Sequence, residues 1–192
     1  MKTDLFTAPP PGLEYHADFL GPSEERHLMA QLDGLPFNEV RMHGVVAKRR
    51  VFHFGLVYGY ESWTLTPGPP LPPFLLPVRN RIAPLLNCAP DAVAEVLVTK
   101  YPPGAGIGWH RDAPMFGPAV VGVSLLSSCR FRFQRRVGAV REAFEVILEP
   151  RSAYVLAGEA RSCWQHSIPA TKRLRYSITF RTLKSRTSTA RG

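Results

Sequence analysis

The second half of the chain leaves little room for helix. After Asn87, apolar and polar residues alternate with period two in seven runs of strand length: AEVLVTKY, VVGVSLLS, RFRFQ, AFEVILE, SAYVLAG, CWQHSIP and RYSITFRTL. The runs are rich in β-branched and aromatic side chains, which suit a pleated surface, and Gly, Pro, Ser and Asp punctuate them as turn residues. Short strands at this spacing, with no helical period between them, predict a jelly roll, barrel or sandwich. The first half reads differently. Ser23 is a good N-cap, acids follow it, and Leu28, Met29 and Leu32 form a stripe at helical spacing, so a helix is expected over 23–33. Residues 1–20 read as an irregular arm, and 37–63 as short strands and turns. TPGPPLPPFLLP cannot be a central strand or a helix interior, because proline lacks the backbone donor. It reads as an extended connector into a second helix over 74–86, a segment that also contains Pro77 and Pro84.

Composition bounds the size and class. A chain of 192 residues fits one domain, and 45% hydrophobic content with 20% charged residues supplies a core and argues against disorder. MKTDLFTAPPPG carries an early acid and no apolar core, unlike a secretory signal, and no run approaches the roughly 18 apolar residues that span a bilayer. The three cysteines, Cys88, Cys129 and Cys163, are far apart and form no CxxC, which argues against a disulfide framework or a structural zinc. A soluble cytoplasmic protein with no membrane association is expected, with Cys129 and Cys163 as small core hydrophobes. Lys+Arg 24 against Asp+Glu 15 gives a net charge of +9, with arginine pairs at Arg49–Arg50 and Arg135–Arg136 and a basic KSRTSTARG tail. Arginine forks phosphates and stacks on bases, so an anionic polymer suits this balance. A high-GC genome, where arginine replaces lysine, would produce the same bias.

YPPGAGIGWHRDAPMFG, residues 101–117, puts His110 and Asp112 two positions apart, just ahead of an apolar run. On an extended backbone such residues project from one face, where an imidazole and a carboxylate could grip a metal together. A solvated loop pair has the same spacing, so the pair alone decides nothing. His166 in CWQHSIP supplies a third donor that a sandwich could bring alongside. Two histidines and a carboxylate on one face of a metal leave its other positions open, as non-haem Fe(II) oxygenases require, and zinc can take the same ligands with a water. In RYSITFR, Arg175, Ser177, Thr179 and Arg181 share one face, and Tyr176, Ile178 and Phe180 share the other. The apolar set is expected against the helices and the polar set inside the sandwich. An arginine inside a sandwich is costly unless an anion meets it. No acidic partner is obvious, so a bound dicarboxylate would account for Arg175; the alternative is an exposed strand face flanked by arginines.

Together these residues resemble the AlkB family of Fe(II)- and 2-oxoglutarate-dependent dioxygenases. The family's last strand carries two arginines six apart, often ending Thr-Phe-Arg, as Arg175 to Arg181 do here. A tyrosine and a turn precede its iron-binding segment, matched by YPPGAGIGWHRD, and a Gly-Glu-x-Arg turn precedes the second histidine in some members, matched by GEARSCWQH. The resemblance is clear over 93–183 and weaker over 37–87. It implies an α+β fold, with a double-stranded β-helix (jelly-roll) core over 90–183 and N-terminal helices packed on the sheet. A substrate-recognition lid over 37–75 and a mobile basic tail over 184–192 would complete a single domain. His110, Asp112 and His166 would hold iron. Arg175 would pair with the distal carboxylate of 2-oxoglutarate, aided by Tyr101, and Arg181 would lie by the iron-side carboxylate. Thr99 stands where the family often has asparagine, and it lacks the amide.

The resemblance further implies oxidative dealkylation by a monomer, with alkylated DNA or RNA as partner. A target base would have to leave its stack to reach such a centre. Arg49 and Arg50 are candidates for phosphates, and Phe52, Phe54, Tyr58 and Tyr60 for stacking. Alternation puts Phe52 and Phe54 on one face with Arg50, without saying which face sees a ligand. His16, His27, His43 and His53 stand in no motif and read as surface or structural residues. Two other readings stay open: the same chemistry on a protein side chain or small molecule, and a non-catalytic β-sandwich that binds single-stranded nucleic acid.

Overall fold

The alternating runs of the second half become two facing sheets. The computed structural model describes residues 5–6, 8–42, 44–59 and 64–184. Leu5–Phe6 (β1) and Leu13–His16 (β2) precede the first helix, Pro22–Leu32 (α1). Asn38–Met42 (β3), Val45–Tyr58 (β4) and Leu65–Pro67 (β5) follow, and then a second helix, Leu76–Ile82 (α2). The remaining strands are Val93–Tyr101 (β6), Ile107–His110 (β7), Phe116–Leu125 (β8), Cys129–Val137 (β9), Val140–Leu148 (β10) and Ala153–Leu156 (β11). A short helix, Gly158–Ser162 (α3), leads to Gln165–Ile168 (β12) and Arg175–Leu183 (β13).

Among the described residues, a five-stranded sheet runs β1-β10-β9-β12-β7. An eight-stranded sheet runs β2-β11-β8-β13-β6-β4-β3, with β5 on β4 off that path. The jelly-roll expectation is met. Every run read as a strand from 93 onward is one, and β13 lies between β6 and β8, antiparallel to both. The chain departs from expectation elsewhere. The arm is not irregular throughout: β2 pairs antiparallel with β11 and β1 parallel with β10. Such edge strands dock through backbone bonds and need no apolar alternation, so their sequence carries little signal.

Helix α1 starts at Pro22, one residue before the expected span, and its N-cap is Gly21 rather than Ser23. The Gly21 amide donates to Glu24 Oε2 at 2.8 Å, so the acid three residues on closes this end of the helix. The second helix is broken into a 3-10 turn at Pro73–Leu75, α2, and another 3-10 turn at Ala83–Leu86. Pro77 and Pro84 each fall in the first turn of a segment, where the missing N–H leaves no bond unmade.

Tyr176, Ile178 and Phe180 of β13 are fully buried against Leu28 and Leu32 of α1 and Val78 and Ile82 of α2, as the alternation predicts. Each such aromatic or aliphatic side chain contributes about 1.5–3 kcal/mol by leaving water. The opposite face of β13 looks into the space between the sheets, where Phe131, Phe133, Leu148, Leu156 and Trp164 pack. Cys129 is buried there, whereas Cys163 is exposed, because it follows the last turn of α3 instead of lying in a strand. No helix among the described residues is long and apolar enough to cross a membrane.

Candidate active site

Strands β7 and β12 are antiparallel neighbours, and their register sets His110 opposite His166. The two rings meet edge to face with centroids 4.3 Å apart. The chain turns out of β7 immediately after His110, and Asp112 Oδ2 lies 3.6 Å from His166 Nε2. His110 Nδ1 donates to the Gly108 carbonyl at 2.9 Å, which leaves Nε2 as the ring's lone-pair nitrogen. Burial lowers the pKa of His110 and takes that of His166 to about 3, so both imidazoles are neutral near pH 7. Burial alone would raise the Asp112 carboxyl. The charges of Arg181 and Arg161, joined in acid by those of the protonated His166 and His110, outweigh it and hold the group well below the usual carboxylate range.

Two neutral imidazoles and an anionic carboxylate are the donor set that suits Fe(II). Among the described residues no three His, Cys, Asp or Glu side chains meet the geometry of an assembled metal site. Asp112 Oδ1 accepts from Arg181 Nη2 at 2.6 Å. The other oxygen, Oδ2, is the one beside His166.

A cavity of about 1190 Å³ opens beside these three residues. At its inner end lies Arg175, fully buried. One guanidinium nitrogen, Nη2, donates to Ser124 Oγ at 2.9 Å, and the plane lies 5.0 Å from the Tyr101 ring centroid. Nε and Nη1 are buried with no partner. A buried guanidinium keeps two donors unmet only at a cost, so the position suits a ligand carboxylate, which would take both as a fork. Thr99 and Tyr101 line the same cavity from β6.

Arg181 differs from the expectation in one respect. A buried acid does face it: Glu95, fully enclosed, accepts from Arg181 Nη1 at 2.7 Å and pairs with His53 Nδ1 at 2.9 Å. His53 and Glu95 therefore brace Arg181, which in turn holds Asp112. Glu95 was legible in principle. It is the lone acid of an apolar strand, and period two puts it on the face of Leu97, Thr99 and Tyr101. Arg161 was also missed as a positioning group: its guanidinium donates to the carbonyls of Asp112 at 3.0 Å and Ala113 at 2.8 Å, fixing the loop that carries the carboxylate.

The substrate candidates divide between two faces of β4. Arg49, Val51 and Tyr58 line the cavity. Phe52 and Phe54 do not; Phe54 is buried among the residues under the helices, and Phe52 packs on it at 4.9 Å between centroids. Arg50 shares their face, is half exposed and lies 3.9 Å from Glu39. Alternation could not tell the faces apart, since both are apolar and each carries one arginine. Tyr58 reaches the cavity from an even position because Gly55, at φ +77°, breaks the alternation. A Cβ there would stand 2.3 Å from the Ala94 carbonyl oxygen, so glycine alone fits. Tyr60 lies outside the described residues, as do His43 and nearly all of the basic tail. Arg135 is engaged by Glu142 and Glu159 and stacks 4.8 Å over Trp164, so it is not a free phosphate contact; Arg136 is exposed.

A jelly roll whose inner cavity joins a His-x-Asp pair, a distal histidine and a buried arginine with open donors defines a non-haem iron, 2-oxoacid type of centre. The family model described as 2OG-Fe(II) oxygenase superfamily matches residues 12–181, and the chain belongs to that superfamily, in its AlkB branch. It is 29% identical over 186 residues to the alkylated DNA repair protein ALKBH8 homolog of Arabidopsis thaliana, covering 84% of this chain and 52% of that protein. It is 30% identical over 171 residues to the tRNA (carboxymethyluridine(34)-5-O)-methyltransferase ALKBH8 of Mus musculus, covering 85% of this chain and 25% of that one. With the DNA oxidative demethylase ALKBH2 of Mus musculus it shares 32% over 158 residues, covering 73% of this chain and 63% of that one. The chain thus spans about half the length of the Arabidopsis relative and a quarter of the mouse ALKBH8. The solved structure of OsALKBH1 superposes with a TM-score of 0.71 at 18% identity, over 93% of this chain and 100% of that chain, and shows the shared fold. Fe(II) and 2-oxoglutarate are the cofactors of this superfamily of dioxygenases.

Proposed function

We propose that this chain oxidatively removes N-alkyl groups from bases of DNA or RNA. His110, Asp112 and His166 would hold Fe(II), and Arg175 with Tyr101 would hold the distal carboxylate of 2-oxoglutarate. When bound, the iron supplies O₂ activation at the expense of 2-oxoglutarate, which leaves as succinate and carbon dioxide. An N-methyl group so treated becomes N-hydroxymethyl, which breaks down to formaldehyde and the bare nitrogen. The protein's own residues do the rest. Arg175 orients the cosubstrate from the enclosed end, Arg181 keeps Asp112 anionic and aimed, and the buried walls limit water at the reacting atoms.

The observation that carries the reading is the pair of unmet donors on fully buried Arg175, at the inner end of a cavity flanked by the three metal-ligand candidates. Nucleic acid as the substrate class is supported by the net charge of +9 and by the names of the ALKBH2 and Arabidopsis relatives. Three free cysteines support a cytoplasmic location. The test couples 2-oxoglutarate turnover to a panel of methylated oligonucleotides and methylated peptides. Succinate formation that rises with a methylated oligonucleotide, and is lost in Asp112→Ala, is the expected result. Stimulation by methylated peptides alone would move the substrate to protein, and no turnover with iron and 2-oxoglutarate would end the catalytic assignment.

A further inference from the structure

One cation of the cavity has no task in the chemistry above. Arg49 of β4 is 8% exposed and lines the cavity, yet its guanidinium has no acceptor among the described residues. Its charge is felt at His110, which places it near the metal-ligand candidates. The other cations that line the cavity are accounted for. Arg175 faces the cosubstrate position, Arg181 holds Glu95 and Asp112, Arg161 holds two carbonyls, and Arg111 and Lys184 are exposed. Lining the cavity with no protein acceptor, this guanidinium is free to meet a ligand group there.

The charge balance says what kind of group. Six cations, Arg49, Arg111, Arg161, Arg175, Arg181 and Lys184, line the cavity against one carboxylate, Asp112. Glu95 stands behind Arg181 and offsets one more. Loading a divalent cation and a dianionic cosubstrate adds no net charge. The space left for substrate therefore stays positive, which disfavours a like charge. Alkylation chemistry divides along this line. A methyl on a ring nitrogen such as N1 of adenine makes the base a cation, whereas a methyl on the exocyclic nitrogen leaves it neutral.

We propose that Arg49 is the specificity-determining residue of the cavity, and that it selects a neutral or anionic alkylated base over a cationic one. This rests on the nucleic-acid reading above. A neutral base offers ring nitrogens or carbonyl oxygens that the guanidinium can address as a donor; a ring-methylated cation offers a charge it repels.

The isomers N6-methyladenine and 1-methyladenine test this, because they carry one methyl group each and differ in its position and, near pH 7, in the one proton that makes the 1-methyl base a cation. Each is placed in the same fluorescein-labelled single-stranded oligonucleotide, and binding to the full iron-free chain is read by anisotropy, with base conversion by the iron-loaded enzyme read by mass spectrometry. The wild-type chain should bind the N6-methyl strand about tenfold or more tightly than the 1-methyl strand, a modest effect for one like charge a few ångströms away. Arg49→Gln, which keeps donors but not the charge, should compress the ratio to within about threefold, equal to roughly 0.7 kcal/mol. Arg49→Glu should invert it, and Arg50→Gln, on the other face of the strand, should leave it unchanged. If Arg49→Glu does not fold, the Gln variant decides. Equal binding of both isomers by wild type, or a ratio untouched by Arg49→Gln, overturns the charge selection and leaves the nucleic-acid reading standing. No binding of either strand overturns both.

Discussion

Replacing Arg175 by lysine isolates the cosubstrate contact from the rest of the centre. The side chain is fully buried, gives one bond to Ser124 at 2.9 Å and leaves Nε and Nη1 buried without a partner. Lysine preserves the charge but loses the planar fork, so it cannot hold Ser124 and both carboxylate oxygens at once, nor lie flat 5.0 Å from the Tyr101 ring. One charge-assisted bond lost to the bound carboxylate is worth about 1.5–3 kcal/mol. At about 1.4 kcal/mol per factor of ten, the 2-oxoglutarate requirement should rise roughly ten- to a hundredfold. The assay is succinate formation as a function of 2-oxoglutarate at saturating iron and substrate, with a calorimetric titration of the cosubstrate alongside. Turnover at saturating cosubstrate should stay within a few fold of wild type, and iron affinity should not move, because among the described residues Arg175 makes no hydrogen bond to His110, Asp112 or His166. An unchanged 2-oxoglutarate dependence would show that the dicarboxylate is held elsewhere, and the reading of β13 would fall with it.

Phe54→Ala should destabilise the fold by about 3–5 kcal/mol, as emptying a buried aromatic site does, without weakening oligonucleotide affinity under conditions where the variant is folded. Denaturant melts and anisotropy check this together; a loss of affinity with little loss of stability would return Phe54 to the substrate face. The metal-free protein should lose stability as pH falls below about 6.5. His166 titrates at about 3 when folded, so between these values the unfolded chain binds one proton more than the native state. Depression of the Asp112 and Glu95 carboxyls acts in the same direction at lower pH, since their stabilisation is present above their ordinary values of 3.8 and 4.5 and fades below. Melts of wild type and His166→Gln from pH 7.5 to 4 measure it. A wild-type profile as flat as the variant's would contradict a buried neutral imidazole.

Much of the candidate site is legible in the sequence. Period two put Arg175 and Arg181 on one face of their strand and Tyr176, Ile178 and Phe180 on the other, and the structure keeps that division. The same rule failed on β4, where both faces are buried and Gly55 resets the phase. Phe52 and Phe54 looked available for stacking on bases because aromatic residues serve cores and ligands alike. Ser23 has the side-chain acceptor that marks a cap, while the contact that closes α1 comes from Glu24 reaching back to Gly21.

Properties that repeat locally are written along the chain: strand periodicity, turn residues, the two-residue spacing of His110 and Asp112, and the alternation along β13. Pairing across the sheets was decided only in three dimensions. Nothing local in CWQHSIP says that β12 lies beside β7 with His166 opposite His110, and nothing in AEVLVTKY says that Glu95 meets both His53 and Arg181. These contacts join residues 56, 42 and 86 positions apart. Their partners depend on which strands become neighbours when the sheet closes, and that is settled by burying whole faces at once rather than by the preference of any single residue.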